Sequence, residues 1–201
     1  MKKRLQTIKT YNQSAAAMAK KFNGMEGYLP DIERTFSFAP QKQNPKVVEV
    51  GSGSGRDARD LLKFTNDYLG FDISPEMVRH AKKLVPNANF IVADIDDFSF
   101  PKKADAIFAF ASLLHSNKKS LAKIIDRVYE ALKEKGVIFM SLKYGEYQED
   151  TRTDEFGTRT YYYYTPEIIK ELAGDKFQTV FKERKKLKNQ EWFSIILQKL
   201  F

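Results

Sequence analysis

The chain has 201 residues, of which 42% are apolar and 13% aromatic, so it can form a folded domain with a substantial core rather than a disordered segment. It contains no cysteine, which excludes disulfides, thiolate metal ligands and every mechanism that needs a cysteine nucleophile. The formal net charge of +8 leaves contacts with nucleic acid, an anionic membrane surface or an acidic small molecule open.

The sequence indicates neither secretion nor membrane insertion. The basic N-terminal stretch, residues 1–22, has no apolar run long enough for a signal peptide. No window approaches the roughly 18 apolar residues of a membrane span. We therefore expect a soluble cytoplasmic protein, either a monomer or a homodimer.

Apolar runs alternate with helical stretches from about residue 46 to the end, which is typical of a wound α/β sheet. Helices are predicted at 56–64 and 120–132, and after the start signals at Ser74-Pro75-Glu76 and Thr165-Pro166-Glu167. Strands are predicted at 46–50, 68–72, 89–92, 105–111, 136–142, 177–187 and 192–200.

The last two predicted strands follow each other with only the polar break 188–191 between them, which predicts an antiparallel hairpin. The whole order predicts an α/β fold with a Rossmann-like, doubly wound sheet of seven strands, mainly parallel with an antiparallel C-terminal strand. We expect a single domain over residues 1–201, with an N-terminal helical cap at about 1–40 and a lid-like insertion at about 143–164.

A glycine-rich loop follows the first predicted strand directly, with Gly51, Gly53 and Gly55 spaced G-x-G-x-G. Glycines at this place let the backbone turn tightly and lie against a ligand. The sixth position of a dinucleotide fingerprint is occupied by Arg56, so the nicotinamide pattern is not met. An acidic residue, Glu49, stands two places before the first glycine, inside the strand.

Two aspartates follow the second and third predicted strands. Asp72 lies 21 residues after Gly51, where Rossmann-like folds place an acid that accepts hydrogen bonds from ribose hydroxyls. We favour this role over an ordinary turn. Asp94 has two interpretations: acceptor from an adenine amino group, or helix cap.

With these motifs in place, the chain resembles the class I S-adenosylmethionine-dependent methyltransferases. The resemblance rests on E-V-G-S-G-S-G, L-G-F-D-I-S-P-E-M, V-A-D-I and A-F-A-S-L-L-H, and it covers roughly residues 11–200. It is closest to the small-molecule group related to ubiquinone and menaquinone biosynthesis methyltransferases. It implies S-adenosylmethionine as the cofactor, but it hardly specifies the acceptor.

The resemblance also implies a role for each matched residue. Tyr11 belongs to an N-terminal helix that closes over the cofactor. The residues implied at the ribose and adenine are Asp72, Ile73, Met77, Asp94 and Ile95. The residues implied at the methionine part are Gly51, Gly53, Gly55, Phe110, Ala111 and, through water or the ammonium group, Glu49.

The acceptor side has two candidate catalytic residues, His115 and Tyr144. His115 lies just beyond the fourth strand, at the ligand-binding edge of the sheet, where it is either a general base or a loop histidine with local hydrogen bonds. Tyr144 stands at the start of the insertion, which ends in four tyrosines, 161–164. These tyrosines either line an acceptor pocket or pack the insertion onto the sheet; as a hypothesis, the insertion is a lid over the reacting groups.

The leading function is methyl transfer to an oxygen or nitrogen of a small molecule by in-line displacement. The alternative is an RNA or protein methyltransferase that uses the basic surface. A distant third is a non-catalytic nucleotide-binding module or an NAD-dependent dehydrogenase. No carboxylate cluster follows the fourth strand, so we predict no metal site.

Overall fold

The computed structural model describes residues 2–201, so Met1, the first residue of the predicted domain, lies outside the described residues. The strands are β1 Val47–Val50, β2 Tyr68–Asp72, β3 Asn89–Val92, β4 Ala104–Phe110, β5 Leu132–Lys143, β6 Glu149–Asp154, β7 Gly157–Tyr162, β8 Phe177–Leu187 and β9 Gln190–Lys199. The α-helices are α1 Lys2–Gln13, α2 Ala15–Asn23, α3 Leu29–Phe38, α4 Ala58–Leu61, α5 Pro75–Leu84, α6 Lys118–Ala131 and α7 Pro166–Ala173.

Seven strands form one sheet in the order β3-β2-β1-β4-β5-β9-β8. The pairs from β3 to β5 are parallel, and β9 runs antiparallel to both β5 and β8. The predicted fold class is therefore confirmed, including the antiparallel C-terminal strand. The turn between β8 and β9 is tight, because Leu187 already pairs with Gln190.

Both faces of the sheet are covered, as strand β5 illustrates. Its residues Ile138, Met140 and Leu142 point to the side covered by α6 and α7, whereas Val137 and Phe139 point to the side covered by α3 and α5. This alternation has the period of two expected for a strand. The core is thus split into two apolar layers, and the ligand-binding edge lies where the parallel strands end.

Several predicted boundaries differ from the structure by one to four residues. The helix predicted at 56–64 is only one turn long, because its last residues form tighter bonds between residues three apart, such as Lys63 N–H to the Asp60 carbonyl. The lid-like insertion is a separate two-stranded hairpin, β6 with β7. None of the helices within residues 2–201 has the length and hydrophobicity of a membrane-spanning segment.

Candidate active site

The loop after β1 turns on three glycines with positive φ, 67° at Gly51, 53° at Gly53 and 85° at Gly55. Residues with a Cβ rarely adopt this conformation. A Cβ at Gly51 would lie 2.4 Å from the Cβ of Ser112, so only glycine fits beside the end of β4. At Gly53 an added Cβ would meet nothing within 4 Å among the described residues, so this part of the backbone borders open space.

Asp72, the last residue of β2, connects this loop to α5. Its Oδ2 accepts a hydrogen bond from the Gly53 N–H (2.9 Å), and its Oδ1 accepts one from the Ser74 N–H (2.8 Å). Burial raises the pKa of Asp72 above its ordinary value, and the two N–H donors oppose that rise. Each carboxylate oxygen keeps a second lone pair for a further donor, which the hydroxyls of a ribose can supply.

A cavity of about 680 Å³ opens at this edge of the sheet, within the size range of small-molecule sites. The side-chain hydroxyl of Ser52 in its wall is buried and has no hydrogen-bond partner among the described residues. Sequence reasoning had missed Ser52. The predicted cofactor residues that line the cavity are Tyr11, Gly51, Gly53, Asp72, Ile73, Met77, Ile95, Phe110 and Ala111.

Two further predicted residues lie behind the cavity wall. Glu49 is fully buried and accepts a hydrogen bond from the Tyr68 hydroxyl. Burial and the nearby carboxylate of Asp57 raise the pKa of Glu49 well above its usual range. Gly55 lets the loop pack on α5, since an added Cβ would lie 3.1 Å from the Cα of Ala81. Both residues shape the loop from behind.

Asp94 also stands outside the cavity wall, in the turn after β3. Its carboxylate pairs with Arg4 of α1 and accepts from the Asp96 N–H at 2.9 Å. An adenine contact by Asp94, which stays a prediction, has to compete with this ion pair.

The chain is similar in sequence to known proteins and similar in fold to solved structures. The chain is 28% identical to malonyl-[acyl-carrier protein] O-methyltransferase 2 of Ilyobacter polytropus over 90% of its own length and 69% of the relative's. It is 30% identical to malonyl-[acyl-carrier protein] O-methyltransferase 1 of the same organism, over 77% and 54% respectively. A crystal structure of an S-adenosylmethionine-dependent methyltransferase from Clostridium acetobutylicum superposes with a TM-score of 0.73 at 16% identity, covering 95% of this chain and 99% of the other.

Residues 47–136 match a protein family described as "Methyltransferase domain". This match contains β1, the glycine loop, Asp72 and β4, the elements that build the wall described above. Residues 47–136 of the chain therefore correspond to a methyltransferase domain. The resemblance derived from the sequence is confirmed at the level of a methyltransferase domain.

His115, one of the two catalytic candidates, lines the cavity but is held by two hydrogen bonds. Its Nδ1 lies 2.6 Å from the Thr160 carbonyl oxygen and therefore carries the proton. Its Nε2 accepts from the Tyr11 hydroxyl at 2.9 Å. Burial lowers the pKa of His115 to about 4, so the ring is neutral at pH 7 and is a weak base.

Tyr144, the other catalytic candidate, does not line the cavity. Its ring packs edge-on against Phe193, with the Arg184 guanidinium 3.7 Å from its centroid. The position is explained by the strand geometry, because the residue next to the inward-facing Lys143 points away from the cavity. A catalytic role for Tyr144 therefore has no support in the geometry of the methyltransferase.

The β6–β7 hairpin covers the cavity with Arg159, Thr160, Tyr161 and Tyr162. Tyr163 and Tyr164 do not line it and pack the segment down instead. The tyrosine run thus combines the two arrangements that the sequence left open.

Hydroxyl side chains dock the hairpin on α1. Thr7 accepts from the Thr160 N–H at 3.0 Å, Thr10 donates to the Thr158 carbonyl at 2.7 Å, and the Ser14 hydroxyl donates to the Phe156 carbonyl at 2.6 Å. Helix α1 and the hairpin therefore form one continuous cover over the methyltransferase cavity.

Two cationic residues of the cavity were missed by sequence reasoning. Lys143, the last residue of β5, and Arg159 of β7 both line it, and each is only 7% exposed. The position of Lys143 at the carboxyl end of a parallel strand was the available signal. Arg159 carried no signal, because a charged residue in a polar insertion is ordinarily solvated.

Proposed function

We propose that the chain, as one domain, transfers the methyl group of S-adenosylmethionine to an oxygen or nitrogen of a small-molecule acceptor. The observation that carries this proposal is a single covered cavity that has the glycine loop and Asp72 on one side and the α1–hairpin cover on the other. A cavity of about 680 Å³ has the size of a small-molecule site.

The residues of the cavity fit the cofactor. Gly53 presents backbone without a side chain, Asp72 presents acceptors at the strand end, and the Ser52 hydroxyl is buried and unpaired among the described residues. We propose that Asp72 binds the ribose hydroxyls, that Ser52 and the glycine loop contact the methionine part, and that Ile73 and Met77 pack on the adenine. Bound S-adenosylmethionine supplies an electrophilic methyl group on a positively charged sulfur.

The protein contributes positioning and exclusion of water in this proposal. The cover formed by α1 and the hairpin holds an acceptor in place, which lowers the entropic part of the barrier. It also removes water from around the reacting groups, which strengthens local electrostatics. Because His115 is a weak base with both ring nitrogens engaged, we assign it to the positioning of Tyr11 and the cover.

The acceptor class is also suggested by the names of relatives. The names of the two relatives from Ilyobacter polytropus specify O-methyl transfer to malonyl-[acyl-carrier protein]. A third, 39% identical over 33% of this chain, is a trans-aconitate 2-methyltransferase of Acidovorax. Membership in the group related to quinone biosynthesis stays a prediction that none of these names supports.

The alternative, methylation of RNA or protein through a basic surface, is less well supported. The most basic segment, in β8, pairs three of its four cations with carboxylates: Lys182 with Glu167, Arg184 with Glu191, and Lys185 with Glu183. Surface charges that are already paired offer little to a polyanion.

Ligand-dependent melting and an acceptor screen test the proposed function. S-adenosylhomocysteine should raise the melting temperature, since a ligand selective for the native state stabilises it, and NAD should not. Incubation with S-adenosylmethionine and pooled small molecules should then yield S-adenosylhomocysteine. A melting shift with NAD alone would contradict the proposal.

A further inference from the structure

Lys143 is a buried cation without an anionic partner among the described residues. Its carbonyl accepts from the Tyr164 N–H at 3.1 Å, which fixes its backbone at the end of β5. Its Nζ lies 3.7 Å from the centroid of the Tyr161 ring and 5.5 Å from that of Tyr163. Among residues 2–201, Lys143 forms neither an ion pair nor a side-chain hydrogen bond. The charge faces aromatic rings and the cavity.

The acids nearest to Lys143 are already engaged. Asp150 pairs with Arg152 at 2.5 Å and accepts from the Tyr163 hydroxyl at 3.2 Å. Asp154 pairs with Arg159. Around the hairpin end of the cavity, Lys143, Arg152 and Arg159 therefore meet only these two carboxylates, so positive charges outnumber negative ones.

Arg159 adds a second, independent sign that a ligand group belongs here. Its side chain is 8% exposed, and one of its terminal nitrogens pairs with Asp154. Its Nε is buried and has no hydrogen-bond partner among the described residues. A buried guanidinium N–H without an acceptor lowers the stability of the folded protein. Arginine is suited to binding planar carboxylates, which could supply that acceptor.

The protonation state of Lys143 agrees with a cation at neutral pH. Burial, and then the charge of Arg152, lowers the pKa of Lys143 to about 8, so the side chain is mostly charged at pH 7. A charge buried without a counter-ion is unfavourable, and an anion in the cavity relieves that cost.

We infer that the methyl acceptor carries a carboxylate and that Lys143 and Arg159 bind it. The inference rests on the proposed function, because it names the substrate class of the same cavity. The planar guanidinium of Arg159 suits a planar carboxylate. The apolar part of such an acceptor would lie against Tyr28, Leu187 and Trp192, which also line the cavity.

A carboxylate acceptor also explains why the cavity offers no strong base. A carboxylate oxygen is a nucleophile without losing a proton, whereas a hydroxyl or ammonium group has to be deprotonated. His115 is a weak base engaged with Tyr11, and burial raises the pKa of both Tyr11 and Tyr161, so these hydroxyls stay protonated.

Calorimetry on the protein saturated with S-adenosylhomocysteine tests the inference. The probes are acetate, hexanoate and phenylacetate, each compared with its neutral amide, and phenyl phosphate. At least one carboxylate should bind more tightly than its amide. Lys143→Met should weaken that binding roughly tenfold to a hundredfold, the loss expected for a charged hydrogen bond. Lys170→Met, the same change at an exposed position of α7, should leave it unaltered.

The outcomes separate the inference from the proposed function. If S-adenosylhomocysteine does not bind the wild-type protein, the proposed function fails. If S-adenosylhomocysteine binds wild type and Lys143→Met with equal affinity, both proteins are folded. The affinities for the carboxylate, amide and phosphate probes then test the inference. Carboxylates that bind no better than their amides, a preference for phenyl phosphate, or equal carboxylate affinity in Lys143→Met would overturn the inference.

Discussion

The two sides of the cavity are built in different ways. The side with the glycine loop is made mainly of backbone: three glycines with positive φ, and an aspartate held by two N–H groups. The opposite side is made of side chains from distant parts of the chain, such as Tyr11 on His115 and Thr7 on Thr160. A site made of backbone is specified by a short sequence, and a site made of long-range contacts is not.

The largest expected loss of stability comes from a substitution in the glycine loop, on the side of the cavity made of backbone. Gly51→Val introduces a β-branched side chain at a positive φ and against Ser112. Backbone strain and overpacking together should lower the free energy of unfolding by roughly 2–4 kcal/mol. Urea denaturation measures this loss. Gly53→Val is the matched control, because it introduces the same side chain at a similar backbone conformation but in open space, and it should lose clearly less stability.

The dependence of stability on pH tests the opposite side of the cavity, which is made of side chains. The pKa of His115 is about 4 in the folded protein and near 6.5 when unfolded. The unfolded chain thus binds more protons between these values, and stability should fall as pH drops from 6.5 towards 4, by at most about 3 kcal/mol. His115→Gln should flatten this part of the stability curve. An unchanged slope in that variant would show that His115 is not the buried neutral histidine described here.

A smaller effect is expected where the hairpin docks on α1. Thr7→Val keeps the shape of the side chain but leaves the buried Thr160 N–H without an acceptor, at a cost of about 1–3 kcal/mol. Hydrogen exchange at the Thr160 amide should accelerate, while exchange in β1 and β4 stays slow. Thr153→Val, at an exposed position of the same hairpin, serves as the control. Equal acceleration in both variants would mean that Thr7 does not hold the cover.

The same contrast explains what could be predicted from the sequence. The strands Tyr68–Asp72 and Asn89–Val92 were predicted to the residue, since short apolar runs between clear turn signals define them. Nine of the twelve predicted cofactor residues line the cavity, and they lie in or beside short local motifs. Lys143 had only its position at the end of a strand as a signal. Arg159 and the docking threonines could not be predicted, because their environment depends on the tertiary placement of the hairpin and on contacts between residues 148 and 153 positions apart.

We propose that the cavity has a cofactor side and an acceptor side. One calorimetric series tests this division most directly. S-adenosylhomocysteine is titrated into the wild type, Asp72→Ala and Lys143→Met. Asp72→Ala should weaken binding roughly tenfold to a hundredfold, because it removes the proposed acceptor of the ribose hydroxyls. Lys143→Met should leave the affinity within about twofold of wild type, since its charge belongs to the acceptor side. Unchanged affinity in Asp72→Ala, or an equal loss in both variants, would contradict the account.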